Sequence, residues 1–244
     1  MTLAAAVVLA AGRSERLAGT MPKPFAMLAG TRVLDHSLAA LGDAPSVGIV
    51  VVVVPEALRD ELEGRLLAMP KVAAVVAGGP SRQESLALGL AGLAGLPGVA
   101  AGDGVIVVHD AARPLVTPAI FEDVVRAVSG EFDGAIAAIP VDDALKQVGD
   151  GGGIVGPRSR AALWRAQTPQ AFRRHCIEAS VKQALADGVV CDDCSEMATR
   201  AGYRVRVVAG SARNVKITRP ADIELCLALL AGEPGEPVKP GPAG

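Results

Sequence analysis

The amino-acid sequence predicts an α/β fold that is built around a largely parallel sheet. Five short apolar runs are almost continuously hydrophobic instead of alternating, which is typical of strands that are covered on both faces. Amphipathic segments separate these runs, and a strand–helix–strand order gives right-handed crossovers between parallel strands. Half of the 244 residues are hydrophobic, which excludes a disordered chain. The five predicted strands span residues 3–10, 47–54, 72–77, 105–109 and 135–141.

The helices between and after these strands are predicted from their start signals. Pro55 opens the first of them, and Ser81 and Glu84 have the spacing of a capping box. Thr117 and Pro118 offer an N-cap and a first-turn proline to another helix. The predicted helices span residues 56–67, 86–96, 119–128, 170–186, 193–201 and 221–230, and two further strands are predicted over 204–208 and 215–217.

The alternation of strands and helices stops after residue 141. Residues 142–160 contain five glycines and few apolar residues, so they form either a surface loop or an arm. Residues 232–244 contain four prolines among glycines and show no periodicity. We therefore expect a single domain over residues 1–231 and a disordered Gly/Pro-rich tail over 232–244.

Composition and charge argue against several classes of partner. Aromatic residues make up 2% of the chain, too few for a surface that stacks the bases of single-stranded nucleic acid. The formal net charge of −2 provides no basic excess for nucleic acid or for an anionic membrane. No apolar run approaches the ~20 residues that span a bilayer, and no secretory signal is present. We expect a cytoplasmic protein that binds neither nucleic acid nor membrane.

The four cysteines do not form a recognisable framework. They are few and unevenly spaced, in a chain that is long enough to be stable without disulfides. Cys191 and Cys194 have the C-x-x-C spacing, but no second pair or histidine cluster completes a metal site. We interpret them as free thiols, with metal or redox use as the alternative.

The end of the first predicted strand is a candidate phosphate-binding turn. A glycine-bearing turn at this position is where open α/β sheets bind nucleotides. Ala10, Ala11 and Gly12 are small enough for backbone N–H groups to approach a phosphate chain, and Arg16 and Lys23 follow as cations that can neutralise it. Neither a Walker A sequence nor Gly-x-Gly-x-x-Gly is present, so a simple turn remains the alternative.

The fourth predicted strand leads into a carboxylate, Asp110, which is followed by Arg113. An acid at the end of a buried strand lies at the mouth of the same cleft. Such a carboxylate suits Mg²⁺, which proteins hold through one or two carboxylates together with substrate phosphates. A helix cap is the alternative role for Asp110. His109 is interpreted as a packed strand residue and not as a base.

Seven sequence stretches in a fixed order resemble one enzyme family. They are AAGRSERL…PKPF at 10–25, AGGPSRQESLALGL at 77–90, VHDAARP at 108–114, PVDDALK at 140–146, RAALWRAQTPQAF at 160–172, CDDCSE at 191–196 and NVKITRPADI at 214–223. Together they extend over about residues 3–230 and resemble the 2-C-methyl-D-erythritol 4-phosphate cytidylyltransferases of the non-mevalonate isoprenoid pathway. Ribitol 5-phosphate cytidylyltransferases share much of this set. The alternatives are therefore transfer to ribitol 5-phosphate or another polyol phosphate, and a nucleotide-binding paralogue without turnover.

The resemblance implies a Rossmann-like nucleotidyltransferase fold, with a mostly parallel mixed sheet flanked by helices and a protruding dimerisation arm at about 142–160. It implies a homodimer that uses CTP, a polyol phosphate and Mg²⁺. The catalytic cations that would hold the triphosphate are Arg16 and Lys23. The groups that would read the cytosine and ribose are Ala10, Ala11, Gly12, Gly78, Gly79 and Ser85. Asp110 would hold Mg²⁺ and Arg113 would brace its loop. The acceptor phosphate would be gripped by Arg160, Thr168 and Lys216, with the arm carrying Arg160 toward the neighbour's active site.

Three residues depart from the family pattern. Ala144 and Cys191 each replace a threonine whose hydroxyl is expected near the acceptor phosphate, and Pro80 stands where an aspartate is frequent. Loss of a hydrogen bond costs ~0.5–1.5 kcal/mol between neutral groups and ~1.5–3 kcal/mol when one group is charged. The first two departures therefore concern the choice of acceptor more than the cytidylyl transfer.

Overall fold

The computed structural model describes residues 3–12, 22–96 and 104–232. The strands in this part of the chain are β1 (Ala4–Leu9), β2 (Met27–Leu28), β3 (Thr31–Arg32), β4 (Val47–Val54), β5 (Val72–Ala77), β6 (Val105–Asp110), β7 (Gly134–Pro140), β8 (Leu145–Val148), β9 (Ile154–Arg158), β10 (Trp164–Arg173) and β11 (Val205–Ala209). The helices are α1 (Val33–Gly42), α2 (Arg59–Leu67), α3 (Arg82–Leu93), α4 (Pro118–Ala127), α5 (Arg174–Ala186), α6 (Cys194–Arg200) and α7 (Pro220–Ala231).

A seven-stranded sheet in the order β11-β7-β10-β6-β1-β4-β5 forms the centre of the fold. Its neighbours are parallel, except that β10 is antiparallel to both β6 and β7. The five apolar runs of the sequence correspond to β1, β4, β5, β6 and β7, so the prediction of a mostly parallel α/β sheet is confirmed.

Helices cover both faces of the sheet, as the continuous apolar runs predicted. Alternate residues of β1 point to opposite sides: Ala6 and Val8 belong to one core, and Val7 and Leu9 to the other. The first core contains α1, α2 and α4, whereas the second contains α3, α5 and α6. A smaller cluster joins Leu28 and Val33 to Ile217 and Cys226, and it packs α7 beside the start of α1.

The predicted start signals are confirmed for most helices. The Ser81 hydroxyl accepts a hydrogen bond from the Glu84 amide, and the Glu84 carboxylate accepts one from the Ser81 amide, so the capping box is present. Pro118 and Pro220 each stand at the beginning of their helix. Thr117 occupies the N-cap position but makes no side-chain cap bond.

Two sequence predictions of secondary structure are wrong. Residues 170–173 belong to strand β10 and not to the following helix, which begins at Arg174. This strand contains the polar residues Gln167, Thr168 and Gln170, which are buried because hydrogen bonds satisfy them. Residues 215–217 form no strand, although the Ile217 amide donates to the Ala112 carbonyl oxygen.

Residues 142–160 contain an antiparallel ribbon of β8 and β9 that forms its own two-stranded sheet. At the turn between these strands Gly151 and Gly152 both have φ of 83°, a conformation that other residues rarely adopt. Val148, Ile154 and Val155 are exposed on the ribbon. Of the two alternatives for residues 142–160, a surface loop or an arm, the structure therefore shows an arm.

Other expectations from the sequence concern the tail, the cysteines and the membrane. The predicted tail lies outside the described residues, apart from Gly232. All four cysteines are buried free thiols. Among the helices that the structure describes, none is both long and apolar enough to cross a membrane.

We predict that Gly89→Ala lowers the free energy of unfolding by about 1–3 kcal/mol. A β-carbon at Gly89 of α3 would lie 2.4 Å from Cγ1 of Val7 and 2.8 Å from Cγ2 of Val53, both of which are held in the sheet. Helix α3 must therefore move away from the sheet. Denaturant unfolding measures the effect.

The matched control is Gly64→Ala in the exposed part of α2, where a β-carbon would have no neighbour within 4 Å. This change should raise stability by ~0.5–1 kcal/mol, because alanine favours the helix. Equal stability of the Gly89 variant and the unaltered protein would contradict the close packing of α3.

Candidate active site

A cleft of about 590 Å³ opens at the carboxyl ends of β1 and β6. Residues on its wall that the sequence singled out are Ala11, Gly12, Lys23, Gly79, Ser85, Asp110 and Lys216. Ala10 is fully buried at the end of β1, and Thr168 and Arg113 are buried behind the wall. Arg16 lies outside the described residues. The structure therefore brings most of the predicted site together from segments that are distant in sequence.

The loops after β1 and β5 approach each other closely on one side of the cleft. A β-carbon at Gly78 would lie 2.2 Å from Cβ of Ala11, so a larger residue at this position would force the two loops apart. The Ser85 hydroxyl accepts a hydrogen bond from the Gly79 amide at 3.1 Å and donates to the Gly79 carbonyl oxygen at 3.3 Å. Ser85 thus holds the glycine turn at the start of α3.

Asp110 is the central charged residue of the cleft. Its Oδ2 accepts a hydrogen bond from Nζ of Lys216 at 2.7 Å, and its Oδ1 accepts from Nε and Nη2 of Arg82 at 3.3 and 3.2 Å. Burial raises the pKa of Asp110, but the positive charges of Arg82 and then Lys216 outweigh burial and hold the pKa well below its ordinary value. Asp110 is therefore ionised and paired with cations, and its carboxylate does not cap a helix.

His109 and Thr168 support Asp110 from inside the fold. Thr168 Oγ1 accepts a hydrogen bond from the Asp110 amide at 3.0 Å and lies 3.1 Å from Nδ1 of His109. Burial outweighs the attraction of Asp110 and lowers the pKa of His109 to about 3, so the imidazole is neutral near pH 7. The interpretation of His109 as a packed strand residue is confirmed. The Thr168 hydroxyl faces this buried network.

Arg113 connects the strand end to the loop that carries Lys216. Its Nη1 donates to the Asn214 carbonyl oxygen at 2.8 Å, and its Nη2 donates to the Ala166 carbonyl oxygen at 3.4 Å. Asn214 in turn donates from Nδ2 to the Thr168 carbonyl oxygen at 2.9 Å. These buried contacts hold the backbone of the loop from which Lys216 reaches Asp110.

The sequence reasoning did not identify two buried glutamines that hold the loop before α6. Gln83 donates to the Val189 carbonyl oxygen and accepts from the Cys191 amide, both at 2.9 Å. Gln170 donates to the Asp193 carboxylate at 2.8 Å and accepts from the Cys194 amide at 3.1 Å. Each glutamine lies in one of the family-like stretches, yet its partners are more than 20 residues away in sequence.

Arg82 was also missed as a site residue. The capping-box pattern placed a helix start at this point, but a helix start does not reveal which side chain turns into a cleft. In the structure Arg82 lies on the cleft wall and contacts both Asp110 and Cys194. The signal available in the sequence was a cation three residues after the glycine pair, at the start of the capped helix.

Arg160 belongs to a second groove, on the arm. This groove of about 440 Å³ also contains Ala144, Lys146 and Arg158. The Arg160 guanidinium donates to the Asp142 carbonyl oxygen at the base of the arm. Within the described residues, Arg160 does not line the cleft of its own chain.

The cleft is chemically suited to a polyphosphate anion. Among the described residues, the cations Lys23, Arg82 and Lys216 line the cleft together with one carboxylate, and small residues lie on the same wall. Within the described ranges, no three His, Cys, Asp or Glu side chains cluster as a metal site. A divalent cation at Asp110 would therefore take most of its ligands from a bound phosphate and from water, as Mg²⁺ commonly does.

Comparison with known proteins agrees with this arrangement. The family model described as 2-C-methyl-D-erythritol 4-phosphate cytidylyltransferase matches residues 4–231. A protein of that name from Xanthomonas campestris pv. campestris (strain 8004) is 40% identical over 219 residues, which cover 89% of this chain and 81% of the relative. The protein of that name from Pelotomaculum thermopropionicum is 38% identical over 246 residues, covering 99% of this chain and 100% of the relative.

Solved structures agree in fold. The crystal structure of the 2-C-methyl-D-erythritol 4-phosphate cytidylyltransferase from Thermus thermophilus superposes with a TM-score of 0.73 at 29% identity, covering 94% of this chain and 98% of that one. The chain belongs to the 2-C-methyl-D-erythritol 4-phosphate cytidylyltransferase family.

Proposed function

We propose that this protein transfers CMP from CTP to 2-C-methyl-D-erythritol 4-phosphate and releases pyrophosphate. The product is 4-diphosphocytidyl-2-C-methyl-D-erythritol. The observation that carries the proposal is the paired Asp110 and Lys216, 2.7 Å apart, in a cleft that also holds Lys23 and the glycine turn of Gly79. Membership of the family supports the same substrates.

The reaction needs no catalytic base. A phosphate monoester has a second pKa of about 6, so its oxygens are largely ionised at neutral pH. One of these oxygens forms a bond to the α-phosphorus of CTP, while the bond from that phosphorus to the bridging oxygen breaks and pyrophosphate leaves with the electron pair. The buried, neutral His109 is consistent with this chemistry, because it takes no part in it.

Repulsion between the two anionic substrates is the main barrier. Lys23 and Lys216 line the cleft, and the family resemblance adds Arg16, which precedes Lys23 in the chain. These cations offset the negative charge as the two phosphates approach and stabilise the charge that develops on the leaving pyrophosphate. Backbone around Gly12 and Gly79 lies where it can approach the nucleotide.

Asp110 is the proposed ligand of Mg²⁺. The single ionised carboxylate fits a cation that is held mainly by the triphosphate, and the described residues offer no all-protein cage. When bound, Mg²⁺ neutralises phosphate charge and orients the triphosphate. Lys216 and Arg82 keep the carboxylate ionised and directed at the cleft.

A second copy of the chain is proposed to complete the site. The arm carries the exposed apolar residues Val148, Ile154 and Val155, which a partner would cover. Arg160 is exposed at the arm's base, and Lys146 and Arg158 lie in the same groove. A homodimer in which each arm brings Arg160 to the neighbouring cleft accounts for a cationic groove on the arm that shares no lining residue with the cleft of its own chain.

The acceptor is the part of the proposal with a specific competitor. Ala144 lines the arm groove with a methyl group, and Cys191 is buried with a thiol where the family pattern has a hydroxyl. Because these two residues lack the hydroxyls of the family pattern, ribitol 5-phosphate and other polyol phosphates must be tested beside 2-C-methyl-D-erythritol 4-phosphate. The cations and Asp110 are common to all these acceptors.

An acceptor panel tests the proposal. Purified, folded protein is incubated with CTP, Mg²⁺ and each polyol phosphate, and pyrophosphate release is measured. We expect the highest kcat/KM with 2-C-methyl-D-erythritol 4-phosphate. A higher kcat/KM with ribitol 5-phosphate would show that ribitol 5-phosphate is the preferred acceptor. Calorimetric binding of CTP without release from any acceptor would indicate a non-catalytic paralogue.

We predict that Lys23→Ala and Arg16→Ala each lower kcat about 10²–10³-fold, because each removes a positive charge from the developing pyrophosphate. The melting temperature of the Lys23 variant should change little, since the Lys23 side chain is only partly buried and such substitutions usually have small effects on stability. Lys182→Ala, on the exposed side of α5, is the control and should retain full turnover. Undiminished turnover in both variants would remove Lys23 and Arg16 from the proposed phosphate site.

We further predict that a mixture of Arg160→Ala and Lys23→Ala proteins recovers activity that neither has alone. If the arm crosses a dimer, half of the exchanged dimers contain one intact site, and turnover approaches about a quarter of the unaltered value. Pyrophosphate release after subunit exchange measures this recovery.

The control mixture combines Lys23→Ala with Lys216→Ala. Both residues line the cleft of one chain, so exchange creates no intact site and should restore nothing. Lack of recovery in the Arg160 mixture would instead indicate a site that is built within a single chain.

A further inference from the structure

Arg82 joins three parts of the fold at the edge of the cleft. Its guanidinium donates from Nε and Nη2 to Oδ1 of Asp110, at 3.3 and 3.2 Å, and Nη1 lies 3.4 Å from Sγ of Cys194. It therefore connects the start of α3 with the end of β6 and the start of α6. Its side chain is 26% exposed, and that of Asp110 is 11% exposed.

The backbone at Arg82 is held more firmly than a surface arginine usually is. Arg82 is the first residue of α3, directly after the N-cap Ser81, which the capping box with Glu84 fixes. The next residue, Gln83, is buried and bonded to the loop before α6 at two points. The guanidinium is thus anchored by the helix start behind it and by Cys194 in front.

Lys216 is a less rigid partner for the same carboxylate. It reaches Oδ2 of Asp110 from a loop, and its side chain is 42% exposed. An ammonium on a flexible stem supplies charge but does not set the plane of a carboxylate, whereas the planar guanidinium donates from fixed directions. Each cation therefore binds a different oxygen of the carboxylate: Arg82 binds Oδ1 and Lys216 binds Oδ2.

We propose that Arg82 is a positioning residue for the reaction: it holds the Asp110 carboxylate in one orientation through Oδ1, so that Oδ2 is directed at the cleft. This inference rests on the proposed function. Arg82 acts through Asp110, whose carboxylate is the central charged group of the cleft. The Cys194 thiol is kept neutral because burial raises its pKa, so its contact orients the guanidinium without neutralising it.

The variant that isolates orientation from charge is Arg82→Lys. Lysine keeps the positive charge near Asp110 but cannot donate from two fixed nitrogens. We expect kcat to fall about 10–100-fold, because a small misplacement of a group that orients the substrate is costly. The KM for CTP should stay within about threefold, since the charge of the cleft is unchanged.

A double-mutant cycle with Asp110→Asn shows whether Arg82 acts through the carboxylate. The four proteins are assayed with radiolabelled CTP so that very slow turnover is quantified. In the Asp110→Asn background, Arg82→Lys should cost less than about twofold, because the group that it positions has already been lost. Losses that multiply would show that Arg82 acts independently of Asp110.

Arg65→Lys is the matched structural control. Arg65 forms a comparable partly buried ion pair, with Asp35 at 2.8 Å, between α2 and α1 and away from the cleft. It should lower the melting temperature about as much as Arg82→Lys does, while kcat remains within about twofold of the unaltered protein.

The outcomes separate the inference from the function on which it rests. Absence of turnover by the unaltered protein with every acceptor overturns the proposed function and this inference with it. Turnover by the unaltered protein together with an equal kcat for Arg82→Lys overturns the inference alone, because charge would then suffice. A loss that appears only as a lower melting temperature, at unchanged kcat, assigns Arg82 a structural role and also overturns it.

Discussion

One buried carboxylate determines how the cleft is assembled. Taking Asp110 out of water costs several kcal/mol unless cations and hydrogen bonds replace its hydration. Arg82 and Lys216 supply these replacements for the carboxylate, and Thr168 accepts the hydrogen bond of the Asp110 amide, so that three separate segments of the chain contribute. The start of α3, the middle of β10 and the loop before α7 must therefore meet at the end of β6. The same electrostatic requirement that holds these segments together leaves a charged cleft at their junction.

Assembly of the cleft also requires small residues at the points where two segments of the chain lie close together. Gly78 lies against Ala11 at the cleft, and Gly89 of α3 lies against Val7 and Val53 of the sheet. These contacts bring the helix close to the sheet and place its first turn beside Asp110. The low aromatic content, which at first only argued against base stacking, therefore agrees with a site that presents backbone and charge to its ligand.

The sequence predicted those parts of the fold whose signals are local. Valine-rich runs identified β4 and β6, and Ser81 with Glu84 identified the start of α3. Strand β10 was missed because Gln167, Thr168 and Gln170 look like surface residues until their distant hydrogen-bond partners are known. Arg82 was missed for the same reason: its partner Asp110 is 28 residues away. Asp110 was predicted from its place at the end of a buried strand, whereas Lys216 came from the family resemblance. The structure shows that the two side chains are in contact.

The antiparallel strand β10 has a consequence for the order of folding. It lies between β6 and β7, although β6 ends at Asp110 and β10 ends at Arg173. During synthesis at about 5–20 residues per second, that edge of β6 stays without its final neighbour for on the order of ten seconds. An uncovered strand edge is a template for pairing with another chain. The nascent protein is therefore most exposed to misassembly between the emergence of β6 and that of β10, and a ribosome stalled in this interval would present that edge to its neighbours.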